Sequence, residues 1–356
     1  MRVVILGLTI TSSWGNGHAT TYRGLMQGLV RRGHDVLFLE RDQPWYAGNR
    51  DLPEPPYGQT AVYGDLDALV DWDNAIRAAD LVIVGSFVPD GIAVGHMVQA
   101  RARACAFYDI DTPVTLAALR AGTCAYLTPD LVRSYGLYLS FTGGPTLQYL
   151  EYTLGAQAAR ALYCSADPAI YQPEPAAVPA WDLGYLGTYS DDRQPVLDRL
   201  LNDPARQWPG GRFTVAGPQY PDSIAWPANV TRTTHLSPRE HRAFYASQRY
   251  TLNVTRADMV RAGYSPSVRL FEAACCGVPV ISDAWPGLDA FFRSGTEIIV
   301  AETAADVLAA LRAMPDTERR AIGAAARARV LAAHTGDHRA AELESYAHEL
   351  LQRVAA

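Results

Sequence analysis

Residues 3–40 read VVILGLTITSSWGNGHATTYRGLMQGLVRRGHDVLFLE. Val3–Leu8 is a continuous apolar run, the pattern of a strand buried on both faces of a parallel sheet. Tyr22, Leu25, Met26, Leu29 and Val30 then recur at helical spacing, so His18–Arg32 is expected to be a helix. Gly33 stops it at the position where a left-handed residue ends helices. Asp35–Glu40 is the next strand. Strand, helix, strand in 38 residues is one βαβ unit, and its consequence is a parallel, doubly wound sheet.

Outward from this unit the rhythm persists. Asp80–Gly85, Ala104–Tyr108, Tyr135–Phe141 and Ala161–Ala166 read as strands and Pro145–Gly155 as a helix, while residues 41–60 read as a long loop. Asp167–Ala180 (DPAIYQPEPAAVPA) holds four prolines, which makes it extended and helix-poor, an interdomain linker. Beyond it strands are expected at Leu183–Gly187, Phe213–Gly217, Tyr250–Val254 and Val278–Ser282. Helices are expected near Pro195–Leu201, Pro238–Ser247 and Pro266–Cys276, and through the Ala-rich last 40 residues. The chain of 356 residues thus divides into two α/β halves, 1–172 and 173–334. Two doubly wound domains facing each other place a ligand beyond the carboxyl ends of their strands.

Composition narrows the chemistry. All 31 basic residues are Arg; there is no lysine. That excludes a P-loop lysine, a pyridoxal Schiff base and the kinase strand lysine. Any phosphate must be held by Arg, backbone amides or helix ends. A net charge of −6 argues against nucleic-acid partners. No apolar run reaches membrane-spanning length, the N-terminus lacks signal-peptide features, and the five cysteines form no C-x-x-C pair; a cytoplasmic protein with reduced thiols is expected.

Three segments carry candidate chemistry. In the loop after the first strand, Gly15 and Gly17 flank Asn16 just before a helix N-terminus, an arrangement suited to an anion or to a plain tight turn. His18 opens that helix, where an imidazole can take a proton from an acceptor hydroxyl or simply sit in the core. Asp109-Ile110-Asp111 follows a strand: the pair can cap the next helix, contact an acceptor or bind a metal. A phosphatase reading fails on Pro113 and the missing lysine. Asp111 is grouped with His18 as the candidate catalytic pair. The third segment is GYSPSVRLFEAACCGVPVI (263–281). Ser265 or Ser267 can cap its helix. Arg269 and Glu272 lie three apart on one face; the glutamate can accept both hydroxyls of a ribose while the helix end and Arg269 hold a diphosphate. Arg256 and Asn253, after a strand, are weaker phosphate candidates. Trp14 and Tyr22 lie near His18 as possible stacking faces, and His334 and His338 are spaced for a metal or a solvated helix face.

The 263–281 segment resembles the donor helix of GT-B glycosyltransferases, with its Glu-Ala-x-x-x-Gly-x-Pro-Val-Ile pattern. SSWGNGHAT (12–20), YDIDTP (108–113), LSFTGGP (139–145) and SPSVRLFE (265–272) are similar to the spore-maturation, CgeB-like group of bacterial glycosyltransferases. The resemblance implies a GT-B fold of two Rossmann-like domains, with the acceptor on the first and a nucleotide-diphosphate sugar as co-substrate on the second. It implies a last helix, about 335–356, returned to the first domain. Gly217 and Pro218 would border the nucleotide, Glu272 would hold its ribose, and the Ser265–Ser267 turn with Arg269 its diphosphate. No tightly bound cofactor or metal is implied. Retaining enzymes of this fold carry a second glutamate where this chain has Tyr264, whereas Gly17-His18 is similar to the Gly-His of inverting ones, whose His is the base. The implied activity is sugar transfer to a small-molecule or glycan hydroxyl. A nucleotide-sugar 2-epimerase and a non-catalytic nucleotide-sugar or glycan-binding protein are the alternatives on the same fold.

Overall fold

The computed structural model describes residues 1–15, 17–174 and 178–355. It divides into two compact units, Met1–Ser165 with Gly336–Ala356, and Ala166–Thr335. The first divide falls after Ser165 rather than after residue 172. The Pro-rich segment does not hang free: it opens with a tight turn in which Tyr171 N–H donates to Asp167 O at 2.8 Å, and Tyr171 is buried within the second unit. Pro175, Ala176 and Ala177, expected as linker, lie outside the described residues.

The first unit holds seven strands: β1 (Arg2–Gly7), β2 (Asp35–Arg41), β3 (Gln59–Tyr63), β4 (Leu81–Gly85), β5 (Cys105–Asp109), β6 (Leu137–Ser140) and β7 (Ala159–Ala161). They lie in the order β3-β2-β1-β4-β5-β6-β7, each pair parallel. The second unit holds β8 (Trp181–Leu186), β9 (Phe213–Ala216), β10 (Val230–Thr233), β11 (Gln248–Asn253), β12 (Val280–Ser282) and β13 (Ile299–Val300), ordered β10-β9-β8-β11-β12-β13 and likewise parallel. Both sheets have the doubly wound order in which the direction of winding reverses beside the first strand, between β1 and β4 and between β8 and β11. Ligands of such sheets gather outside the carboxyl ends of those strands.

The apolar runs form the cores. Val4, Leu6, Val82, Val84, Phe107 and Tyr138 pack together in the first unit, and Leu183, Tyr185, Phe213, Val215, Leu252 and Ile281 in the second. The His18–Arg31 helix packs against β2 and buries Tyr22, Leu25, Met26 and Leu29. Its Gly28 accepts the last helix, Gly336–Ala355, at a distance no side chain permits: a Cβ there would stand 2.5 Å from Gly336 O. Two expectations needed correction. Residues 41–60 contain a short helix, Pro44–Ala47, and the start of β3. The strand expected at Ala161–Ala166 ends at Ala161, and Ala166 forms only a bridge to Thr335. The short edge strands β3, β10 and β13 had not been anticipated. Their sequences (QTAVY, VTRT, IV) lack the long apolar run of a central strand.

Candidate active site

In the first unit the loop after β1 is fixed at Ile10 and Thr11 by Glu40, the glutamate of β2. Glu40 is fully buried and accepts from the backbone N–H groups of Ile10 at 2.7 Å and Thr11 at 3.0 Å, and from the Thr11 hydroxyl at 2.7 Å. A buried carboxylate needs such donors, and once it has them it holds the loop in one shape. Arg23 adds a second clamp, donating to Ile10 O at 2.8 Å and bidentate to Asp51 at 2.8 and 3.1 Å. Gly15 has φ +68, and among the described residues a Cβ at Gly15 or Gly17 would meet nothing within 4 Å. Gly17 is the N-cap; Asn16 lies outside the described residues.

His18 begins the helix with its ring buried. Its Nε2 lies 3.3 Å from Asp111 Oδ2. The Phe87 ring, on the loop after β4, meets the imidazole edge-on at 5.6 Å between centroids. Phe87 has φ +61, a conformation that is strained for a bulky residue. Base candidate, carboxylate and strained aromatic therefore converge at the carboxyl ends of β1, β4 and β5, beside the switch point.

Asp109 and Asp111 do different things. Asp109 is fully buried: Oδ1 accepts from Thr115 Oγ1 at 2.7 Å and from Asp111 N–H at 3.3 Å, and Oδ2 accepts from Tyr138 OH at 2.5 Å. Burial pushes its carboxyl up to about 6, against the pull of the Tyr138 and Thr115 hydrogen bonds. Asp109 holds the turn, and Asp111, partly exposed at the N-cap of the Thr112–Ala121 helix, faces His18. With Asp109 sealed, the two carboxylates are not disposed as a shared metal site. Among the described residues no group of three or more His, Cys, Asp or Glu gathers in metal-binding geometry. His334 lies 4.7 Å from Phe271, between ring centroids, among the aromatics of the second unit, while His338 belongs to the first.

In the second unit, Gly217 (φ +145) lies against Gly187: a Cβ would stand 2.0 Å from Gly187 O. Only glycine allows the loops after β8 and β9 to cross so closely. Pro218 O accepts from Tyr189 N–H at 3.0 Å. From β10 the Arg232 guanidinium lies over two rings of the loop beyond Pro218, Tyr220 at 3.9 Å and Trp226 at 4.5 Å. At the end of β11 the buried Asn253 gathers its neighbours: its Oδ1 accepts from Ser267 Oγ at 2.7 Å and Arg269 Nη1 at 2.9 Å, and its Nδ2 donates to Thr255 and Ser282. Asp283 accepts from Thr255 N–H at 3.0 Å and Oγ1 at 2.8 Å; burial raises its pKa above the usual carboxylate range.

The expected donor residues are thus partly redistributed. Ser267 is the N-cap of the Val268–Cys275 helix, but its hydroxyl goes to Asn253 rather than capping the helix. Ser265 is buried two residues before it. Arg269 is buried, donates to Leu186 O, and lies over the Tyr185 ring at 4.7 Å, joining the ends of β8 and β11. Arg256 is partly exposed, with Nε 3.8 Å from Asp192. Glu272 lies further along the Val268–Cys275 helix. It is buried, and its two oxygens accept from Tyr171 OH at 2.8 Å and Tyr245 OH at 3.0 Å. The helix turns Arg269 toward the strand ends and Glu272 toward the Pro-rich segment, so the carboxylate expected at a ribose holds two tyrosines. Sequence reasoning also missed Glu40, Phe87 and Asp283. The available signal for Glu40 and Asp283 was a lone charge at the end of an apolar strand; for Phe87 there was none.

Two parallel sheets of Rossmann order, with the last helix returned to the first unit, define a GT-B fold. Solved structures agree over the full chain. Sucrose-phosphate synthase of Thermosynechococcus elongatus aligns with TM-score 0.73 and 14% identity, covering 99% of this chain and 100% of that one. HepE of Anabaena, in complex with UDP and glucose, aligns with TM-score 0.72 and 13% identity over 98% and 100%. The UDP-forming α,α-trehalose-phosphate synthase of Burkholderia vietnamiensis aligns with TM-score 0.62 and 11% identity over 98% and 99%. Residues 193–345, mostly in the second unit, match the family model described as glycosyl transferase-like. A search of curated proteins by sequence finds no match. No helix among the described residues is long and apolar enough to cross a membrane.

Proposed function

We propose that this protein is a glycosyltransferase that moves a sugar from a nucleotide-diphosphate donor to an acceptor hydroxyl, with His18 as general base. The observation that carries the reading is the 3.3 Å contact between His18 Nε2 and Asp111 Oδ2 at the switch point of the first sheet. A carboxylate beside the ring stabilises the imidazolium that forms when His18 takes the acceptor proton. The deprotonated oxygen attacks the anomeric carbon from the side opposite the leaving group. The new C–O bond forms as the bond to the diphosphate breaks, with inversion, and the diphosphate leaves as the anion. Tyr264, where retaining relatives carry a glutamate, is consistent with that stereochemistry.

The second unit supplies the donor groups: the Gly217–Pro218 crossing, the Ser265–Ser267 turn at the N-terminus of the Val268–Cys275 helix, and Arg256. Arg269 shapes this site by fixing Asn253, and backbone amides at the helix end stabilise the leaving charge without a metal. UDP is the first nucleotide to test, because the Anabaena protein holds UDP and the Burkholderia enzyme is UDP-forming.

The test is calorimetry with UDP-, GDP- and dTDP-sugars in chelator, beside transfer assays. His18→Ala is expected to bind the donor as wild type does and to lose about 100-fold or more of transfer, the usual worth of a positioned base. Unchanged turnover in that variant would remove the assignment. Release of free nucleotide with an altered sugar and no acceptor would favour epimerisation instead.

A further inference from the structure

We propose that the acceptor is an uncharged molecule presenting an aromatic or alkyl face, an aglycone hydroxyl rather than a sugar phosphate. This rests on the reading of His18 as the base. Two kinds of observation carry it, both within the first unit.

The first is aromatic: Phe87 beside His18, and two exposed tryptophans on loops of the same unit. Phe87 is held in a strained left-handed conformation with its ring edge-on to the imidazole, and it packs on Tyr126 at 4.6 Å. Strain of this kind persists where the surrounding structure enforces it, as at ligand sites. Four residues before His18, Trp14 is 48% exposed, and Trp45, on the Pro44–Ala47 helix, is 52% exposed. The loops that carry the two tryptophans are tied together: Trp14 N–H donates to Ser12 Oγ at 3.3 Å, Ser12 Oγ donates to Asn49 O at 2.7 Å, and Asn49 Nδ2 donates to Trp45 O at 2.8 Å. Large aromatic rings about half exposed on such loops favour an apolar or aromatic partner.

The second is charge. A phosphorylated acceptor is held by cationic side chains, backbone amides or helix ends, and because lysine is absent from the chain the cations can only be arginines. The arginines of these loops are each committed: Arg23 to Asp51, Arg41 to Asp90 at 3.0 Å, and Arg50 to Asp42 at 2.6 Å. Glu40 and Asp111 add further carboxylates. Carboxylates therefore outnumber arginines among these side chains, and Asp111, the charged group shown beside His18, is itself an anion that repels a phosphate dianion.

The experiment uses the full chain with 4-methylumbelliferone, a phenol, and glucose 6-phosphate as acceptor probes. Saturation-transfer NMR reads acceptor binding without needing turnover, and UDP release from UDP-glucose reads transfer. Expected is binding of 4-methylumbelliferone, weakened about two- to tenfold in Trp14→Ala and in Phe87→Ala, the range for loss of one aromatic contact. UDP binding by calorimetry stays unchanged in both variants, and hydrogen exchange at the amides of β1, β2 and β4, which stays as slow as in wild type, shows that the first unit is folded. Preferential binding of glucose 6-phosphate, no binding of 4-methylumbelliferone, or binding indifferent to both substitutions would overturn the proposal. Failure of the His18 reading looks different: His18→Ala would transfer at the wild-type rate while acceptor binding still depended on Trp14.

Discussion

At the scale of single residues, the first unit turns on a division of labour between two aspartates two positions apart. The sequence places both after a strand and leaves capping, acceptor contact and metal binding open, because spacing does not tell which carboxylate is buried. The structure separates them: Asp109 is sealed by Tyr138 and Thr115, and Asp111 is turned to His18. Burying a carboxylate raises its folded pKa, here from 3.8 to about 6. Its unfolded form loses its proton first as pH rises. Asp109 therefore weakens the fold above about pH 6, and the penalty fades as pH falls toward 4. At 1.36 kcal/mol per unit the full effect is on the order of 3 kcal/mol. Asp109→Asn lacks this titration. Urea unfolding of both proteins at pH 7.5 and 4.5 is expected to shift their difference toward wild type at the lower pH by up to that amount. An identical difference at both pH values would mean that Asp109 does not titrate in this window.

At the scale of elements, the strand–helix rhythm was legible wherever burial demands a long apolar run, as in Val3–Leu8 or Phe213–Gly217. It was not legible where pairing alone makes a strand, as in β10 and β13. The helix Val268–Cys275 shows a deeper limit. Its existence follows from its periodicity and from the Gly277 stop, but the direction of each side chain depends on neighbours remote in sequence. Tyr171, 101 residues away, and Tyr245, 27 away, decide that Glu272 is a tie between three elements. Glu272→Ala leaves two buried hydroxyls without their acceptor, at about 1–3 kcal/mol each. The expected result is a lower urea midpoint, with UDP affinity of the folded protein within about twofold of wild type, well under the tenfold that 1.4 kcal/mol represents. The converse, affinity lost at unchanged stability, would return Glu272 to the ribose.

At the scale of the whole molecule, the chain builds the same sheet order twice and then spends its last helix on the first unit. Gly336–Ala355 packs where Gly24 and Gly28 leave room, buries Leu343, and sets Leu350 against Gly136, where a Cβ would meet Leu350 Cδ1 at 2.5 Å. Pairs such as Arg32–Glu344 and Arg31–Asp337 lie at its surface and contribute little beside the two leucines. Burying a leucine is worth roughly 1.5–3 kcal/mol, so a chain ending at Thr335 loses several kcal/mol from the first unit alone. The second unit has its own core, with Leu183, Phe213, Leu252 and Ile281. Hydrogen exchange on the truncated chain is therefore expected to accelerate at the amides of β1, β2 and β4 while β8 and β11 keep their protection. Equal acceleration in both sheets would mean that the units fold as one cooperative body. No change in either would mean that the helix adds nothing to the core it covers.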